Sequence, residues 1–254
     1  MSEMLEAAPL FLWSLLFLLL LAGAHEAGVR LRRRPRRAAE PGDGDTGSDE
    51  GYALSAVLGL MALLIAFTFS LALGRYEERR GLVVVEANAL GTAWLRTSLL
   101  SSPEPVRAAM RAYGEARLDF GRGSDPAKLE QRTGPLQAAL WRETVAALQP
   151  DRHTALVPAV LTPINEAFDT ATARKAEGAA RIPARVLLTL IVYGLAVAFV
   201  LGYAARDGRR RMPSYALFAM FTLSTTLILD LDQPGTGTIQ VPQAAMEEAV
   251  RSMR

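Results

Sequence analysis

The run ALSAVLGLMALLIAFTFSLALG, residues 53–74, contains no charged side chain and no proline, and the run RYEERR, residues 75–80, follows it at once. A helix rises about 1.5 Å per residue, so roughly 20 apolar residues match the hydrocarbon thickness of a bilayer. The stretch therefore reads as a membrane-crossing helix with a charged exit. Three other runs read the same way: residues 1–24, apolar but for Glu6 from about Leu5 to Ala24; residues 185–205; and residues 214–231, the shortest and most polar. One such run could be a buried helix of a soluble core, but four, each flanked by charge, predict an all-α integral membrane protein. No segment shows the period-two alternation of a strand.

Half of the 254 residues are hydrophobic and the formal charge is only +2, yet charge is placed unevenly. The loop 25–52 opens with Arg30, Arg32, Arg33, Arg34, Arg36 and Arg37, then turns acidic and glycine-rich from Gly42 to Gly51. The loop 206–213 sets Arg206, Arg209, Arg210 and Arg211 against Asp207 alone. Short arginine-rich loops stay on the cytoplasmic side. Both loops agree, so the region 75–184 and the tail 232–254 are expected outside the cytoplasm in a multi-pass protein of the inner (plasma) membrane. Ala22-Gly23-Ala24 resembles a signal-cleavage site. Glu3 and Glu6 before the apolar run, and the arginines after it, favour a retained span instead. Topology accounts for the first arginine cluster without nucleic acid, and the bilayer is the expected partner.

Residues 75–184 balance acids and bases and read as a water-exposed helical region. No proline interrupts the chain between Pro41 and Pro103, so the second span is expected to continue as one helix to about Leu100. Ser102 is expected to cap a helix reaching Phe120. Asp125-Pro126 opens another, which Gly134-Pro135 is expected to break or kink. Gln149-Pro150-Asp151 turns the chain, and Pro158 and Pro163 are expected to interrupt the last segment before Arg181-Ile182-Pro183.

Chemistry is sparse. Without cysteine there is no disulfide, thiolate metal site or thiol nucleophile. His25 and His153, the two histidines, have no recognisable catalytic setting. Gly235-Thr236-Gly237-Thr238 lacks the lysine and spacing of a phosphate loop. Glu86 with Asn88, and Asn165 with Glu166 and Asp169, read as solvated helix faces. The chain is therefore expected to be no enzyme and to carry no cofactor or metal. Small residues recur in the second span at Ser55, Gly59, Ala62, Ala66 and Ser70, beside Phe67, Thr68 and Phe69, and in the third at Gly194, Ala198 and Gly202. In lipid such stripes let helix backbones approach closely, so these are helix-packing faces or, for the second span, a pore lining within a homo-oligomer that passes inorganic ions. Thr222, Ser224, Thr225 and Thr226 in the fourth span either line a wet path or bond to their own helix. Alternating topology brings Arg75, Arg79, Arg80, Arg181 and Arg185 to the same side as Asp230 and Asp232, an expected ion-pair collar.

Gly59-Leu60, Ile65 to Ser70, Arg75 to Arg80, Arg181-Ile182-Pro183 and Leu229 to Pro234, with the run Val85 to Arg96 most specific among them, resemble the bestrophin-like domain family of bacterial membrane proteins. The family name points to bestrophins, which are pentameric anion channels, and the resemblance implies an oligomeric channel. The sequence departs from bestrophins in lacking their tandem tryptophans after the second span. Its arginine loops also place the following region opposite to theirs. A non-conducting sensor or scaffold acting through a partner protein is the other reading.

Overall fold

The structure, a computed structural model, describes residues 10–33, 46–121, 126–151, 154–205, 211–234 and 237–253. Eight α-helices lie among them: α1 (Leu10–Arg32), α2 (Thr46–Arg96), α3 (Glu104–Leu118), α4 (Pro126–Ala147), α5 (Leu156–Ala179), α6 (Ala184–Ala204), α7 (Arg211–Asp232) and α8 (Ala244–Ser252). The described residues include no strand. Four helical stretches are long and apolar enough to cross a membrane: Leu10–Arg32, Met212–Asp232, and parts of Leu54–Leu99 and Leu156–Ala204.

Several boundaries differ from expectation. α1 runs past residue 24 to Arg32, because no proline follows Pro9 until Pro35. α2 absorbs the end of the expected loop 25–52 and continues beyond the second span, a single helix of 51 residues. α4 passes through Pro135, and α5 contains Pro158 and Pro163. An interior proline costs a helix about 3 kcal/mol. Core burial on both sides of the lesion, by Leu129 and Leu140 in α4 and by Val160 and Ile164 in α5, offsets it. Arg34, Arg36, Arg37, Arg206, Arg209, Arg210 and His153 lie outside the described residues.

The chain divides into two compact units. The first comprises residues 1–73 and 181–233. In it α1 packs against α6 and α7. A Cβ placed on Gly202 would lie 2.0 Å from the backbone oxygen of His25, and one on Gly28 would lie 2.2 Å from that of Phe199. The two backbones touch, and only glycine permits it. Gly194 is covered by the ring of Phe221, 2.1 Å from where its Cβ would be. The third-span stripe therefore serves packing against α1 and α7.

The second unit comprises residues 74–180 and 234–254. Its core joins Val83, Leu90 and Ala93 of α2 with Met110 and Tyr113 of α3, Leu140 of α4 and Ile164 of α5. The segment expected as a tail supplies α8, which buries Met246, Val250 and Met253 in the same core. Gly114 of α3 makes room for it, since a Cβ there would stand 3.1 Å from a methyl of Val250.

Candidate functional site

In the first unit, α2 has two unlike sides. At 3.6 residues per turn, Met61, Thr68 and Ala72 fall on one side and are buried. Ser55, Gly59, Ala62, Ala66 and Ser70 fall on the other and are exposed, as is Phe67 at 66%. Phe69 is half-buried between them. The Thr68 hydroxyl donates to the Leu64 carbonyl at 2.7 Å, so it is spent on its own helix. Tyr193 of α6 donates to the Val57 carbonyl at 3.3 Å. The fourth-span hydroxyls do likewise: Ser224, Thr225 and Thr226 donate to carbonyls one turn back at 3.0, 2.9 and 2.8 Å. Thr226 also meets Ser14 of α1 at 2.7 Å.

The charged residues at the helix exits bind backbone as well as one another. Arg75 pairs with Glu177 at 3.4 Å. Arg79 donates to the carbonyls of Glu177 and Ala180 at 3.1 and 2.9 Å, capping the C-terminal end of α5 where unpaired carbonyls concentrate negative charge. Arg80 pairs with Glu77 on the surface at 3.6 Å. In the first unit both oxygens of Asp232 accept the Ile182 N–H, at 2.9 and 3.1 Å, just ahead of α6. Asp230 is buried, Arg181 half-buried and Arg185 exposed.

The densest charge cluster centres on Glu86, in the second unit. Its carboxylate is fully buried. It accepts Nε and Nη2 of Arg117 at 2.6 and 3.1 Å and Nη1 of Arg174 at 2.5 Å. Arg174 reaches on to the amide oxygen of Gln243 at 3.0 Å, and that amide donates to the Val241 carbonyl at 3.0 Å. The Phe120 ring lies 4.5 Å from the Arg117 guanidinium carbon and 5.2 Å from that of Arg174. One carboxylate thus faces two guanidiniums, and the aromatic face takes part of the excess positive charge.

Burial opposes the charge on both arginines. In Arg117 the paired bonds to Glu86 outweigh it and lift its pKa above the ordinary value; in Arg174 burial prevails and lowers it. Burial likewise raises the Tyr113 hydroxyl well above its usual range. Read from sequence, Glu86 is a surface acid. Its partners lie 31 and 88 residues away, beyond the reach of any local pattern.

The sequence also leaves the surroundings of His25 unread. His25 is buried in the first unit between the rings of Tyr215 and Phe218, both 5.6 Å away. Tyr215 donates to Glu26 at 3.0 Å. Among the described residues no three His, Asp or Glu side chains gather as metal ligands.

A family model described as Bestrophin-like domain matches residues 15–246. No curated protein matches the sequence. Among solved structures, one titled "Crystal structure of a membrane protein G264A" is similar over 96% of this chain and 97% of its own, with a TM-score of 0.68 and 15% identity. At that identity the likeness is one of fold.

Proposed function

The chain belongs to the bestrophin-like domain family, and on that premise we propose that it is an ion channel assembled from several copies around the membrane part of α2. The exposed strip Ser55, Gly59, Ala62, Ala66 and Ser70 carries this reading. Small side chains allow α2 helices of neighbouring copies to approach closely. Phe67, exposed on the flank of that strip, would form a hydrophobic ring of the kind that gates by excluding water. Thr68 is turned inward and supports packing. The charged exit residues Arg75, Arg79, Arg80, Arg181, Arg185, Asp230 and Asp232 enter the proposal as a collar that fixes the helix ends. The arginine loops orient region 75–184 away from the cytoplasm.

The test is ion flux into vesicles carrying the purified oligomer. Flux should be measurable, Phe67→Ala should change it several-fold, and Thr68→Val should leave the ion preference as it is. Silent vesicles from well-folded oligomer refute a channel. Because the chain has no cysteine, Glu115→Cys on the exposed side of α3 reports orientation. An impermeant maleimide should label it in intact cells. The separate core of the second unit, closed by α8, favours a second reading: a non-conducting sensor or scaffold, which recovery of a stoichiometric partner without flux would support.

A further inference from the structure

The charges around Glu86 do not balance. Glu86, Arg117 and Arg174 are 0%, 4% and 4% exposed, all within the second unit. Both guanidiniums stay protonated at any physiological pH. The acids that could offset them are spent elsewhere. Glu130, whose field reaches Arg117, holds Lys175 at 2.9 Å, and Asp119, next to Phe120 in sequence, holds Arg132 at 2.8 Å. Tyr113 keeps its proton because burial raises its pKa. Gln243 is neutral, and the Phe120 ring attracts both guanidiniums without carrying a charge. Among the described residues, one buried positive charge is therefore left over. Water screens such a charge at a surface, but in a core it is strongly destabilising unless an opposite charge meets it.

The hydrogen-bond donors do not balance either. Arg117 gives Nε and Nη2 to Glu86, and Arg174 gives Nη1 to Glu86 and Nη2 to Gln243. Each guanidinium has five N–H groups, and Nη1 of Arg117 and Nε of Arg174 meet no acceptor among the described residues. Charged donors taken out of water need acceptors to replace it. We propose that the second unit binds one small monovalent anion, of halide or nitrate size, on the paired guanidiniums of Arg117 and Arg174. Charge sets the valence: one negative charge brings the cluster to neutrality, whereas a divalent phosphate or sulfate would overshoot it. Burial sets the size, since both arginines are nearly out of solvent and Phe120 stands 4.5 and 5.2 Å from their guanidinium carbons. Guanidiniums suit the role because they are weakly hydrated and always charged. The anion is a resident of the second unit's core, so the proposal is independent of the channel reading and of any flux.

Thermal melting of the full-length chain in one detergent tests it, with chloride replacing gluconate at constant ionic strength. Gluconate, too bulky for a buried guanidinium pair, is the reference anion. The melting temperature of the parent should climb with the logarithm of chloride concentration, reaching a gain of about 5–10 °C at a hundredfold excess over Kd. Bromide and nitrate should reproduce it. Arg174→Gln leaves Glu86 and Arg117 to balance each other and should show no gain. Arg142→Gln, which removes an arginine 72% exposed, should keep the parent's gain. Equal melting of the parent in chloride and gluconate overturns the proposal. An equal gain in the parent and Arg174→Gln overturns it too, because the anion then acts elsewhere. Should Arg174→Gln fail to fold, crystals of the parent grown in bromide decide the matter. An anomalous peak in contact with both guanidiniums upholds the site, and no peak there overturns it.

Discussion

Replacing Glu86 by glutamine keeps the side-chain shape and removes the charge that two buried guanidiniums share. In the parent, one carboxylate against two arginines leaves a single positive charge in excess; in Glu86→Gln it leaves two, both nearly out of solvent. The new amide can accept at one oxygen only, and its NH2 would point at a guanidinium. Removing one member of a buried ion pair costs about 3–5 kcal/mol. At about 2–4 °C per kcal/mol for a chain of this size, the melting temperature should fall by roughly 6–20 °C. Arg174→Gln makes the informative comparison. It loses the bonds to Glu86 and Gln243, yet leaves Glu86 held by both bonds from Arg117 and brings the cluster to neutrality. The lost charge-assisted bond is worth about 1.5–3 kcal/mol, offset in part by relief of repulsion between the arginines. Circular dichroism melting of the purified chain in one detergent should therefore rank the parent first, Arg174→Gln next and Glu86→Gln last. Equal losses in the two variants would refute the charge-balance argument, and a negligible loss in Glu86→Gln would refute the burial that underlies it.

Three other outcomes follow from particular contacts. Gly202→Ala forces a methyl into the His25 carbonyl and should destabilise the chain by about 1–3 kcal/mol, whereas Gly59→Ala, with open space around it, should leave melting unchanged and act only on subunit association by size-exclusion light scattering. Tyr113→Phe should remove a slope in the stability–pH curve. Burial raises the Tyr113 pKa, so above about pH 10 the unfolded chain loses this proton while the folded chain keeps it; parent stability should then fall with rising pH relative to the variant, and parallel curves would contradict it. Arg111→Gln loses two bonds to the Met253 carbonyl, 2.9 and 2.7 Å long, and should expose the α8 segment to limited proteolysis well before the rest of the unit.

The spans were legible because a bilayer imposes a length and an apolarity that 53–74 and 185–205 satisfy within one window. The continuity of α2 was legible too, since the chain has no proline between Pro41 and Pro103. Local signals failed where tertiary packing set the outcome. Pro135 and Pro163 read as breaks but lie within helices whose apolar sides are held in the core. Glu86 reads as solvated because nothing nearby in sequence announces Arg117 or Arg174. The segment 244–252 reads as a tail until α3 offers it a groove beside Gly114.

The strip on α2 was read from residue size, but size alone does not say which way a helix faces in a bilayer, where both sides are apolar. Outside the bilayer the question becomes decidable, because water penalises exposed leucine and burial penalises unpaired glutamate. There α2 is partly inverted: Glu86 lies inside beside Leu90, and Leu95 lies outside. Two arginines explain the first half of the inversion within one chain. The second half has no such explanation in the protomer. On the channel reading, protomer stability and assembly lie on opposite sides of one helix. Substitutions on the side of Val83, Glu86 and Leu90 should lower the melting temperature at any concentration of protein. Substitutions on the side of Asn88, Leu95 and Leu99 should act only through association and vanish on dilution to monomer. Leu95→Glu compared with Leu90→Ala tests this separation directly: a large loss of monomer stability in Leu95→Glu would mean that the outer face is packed within the chain, and the division would fail.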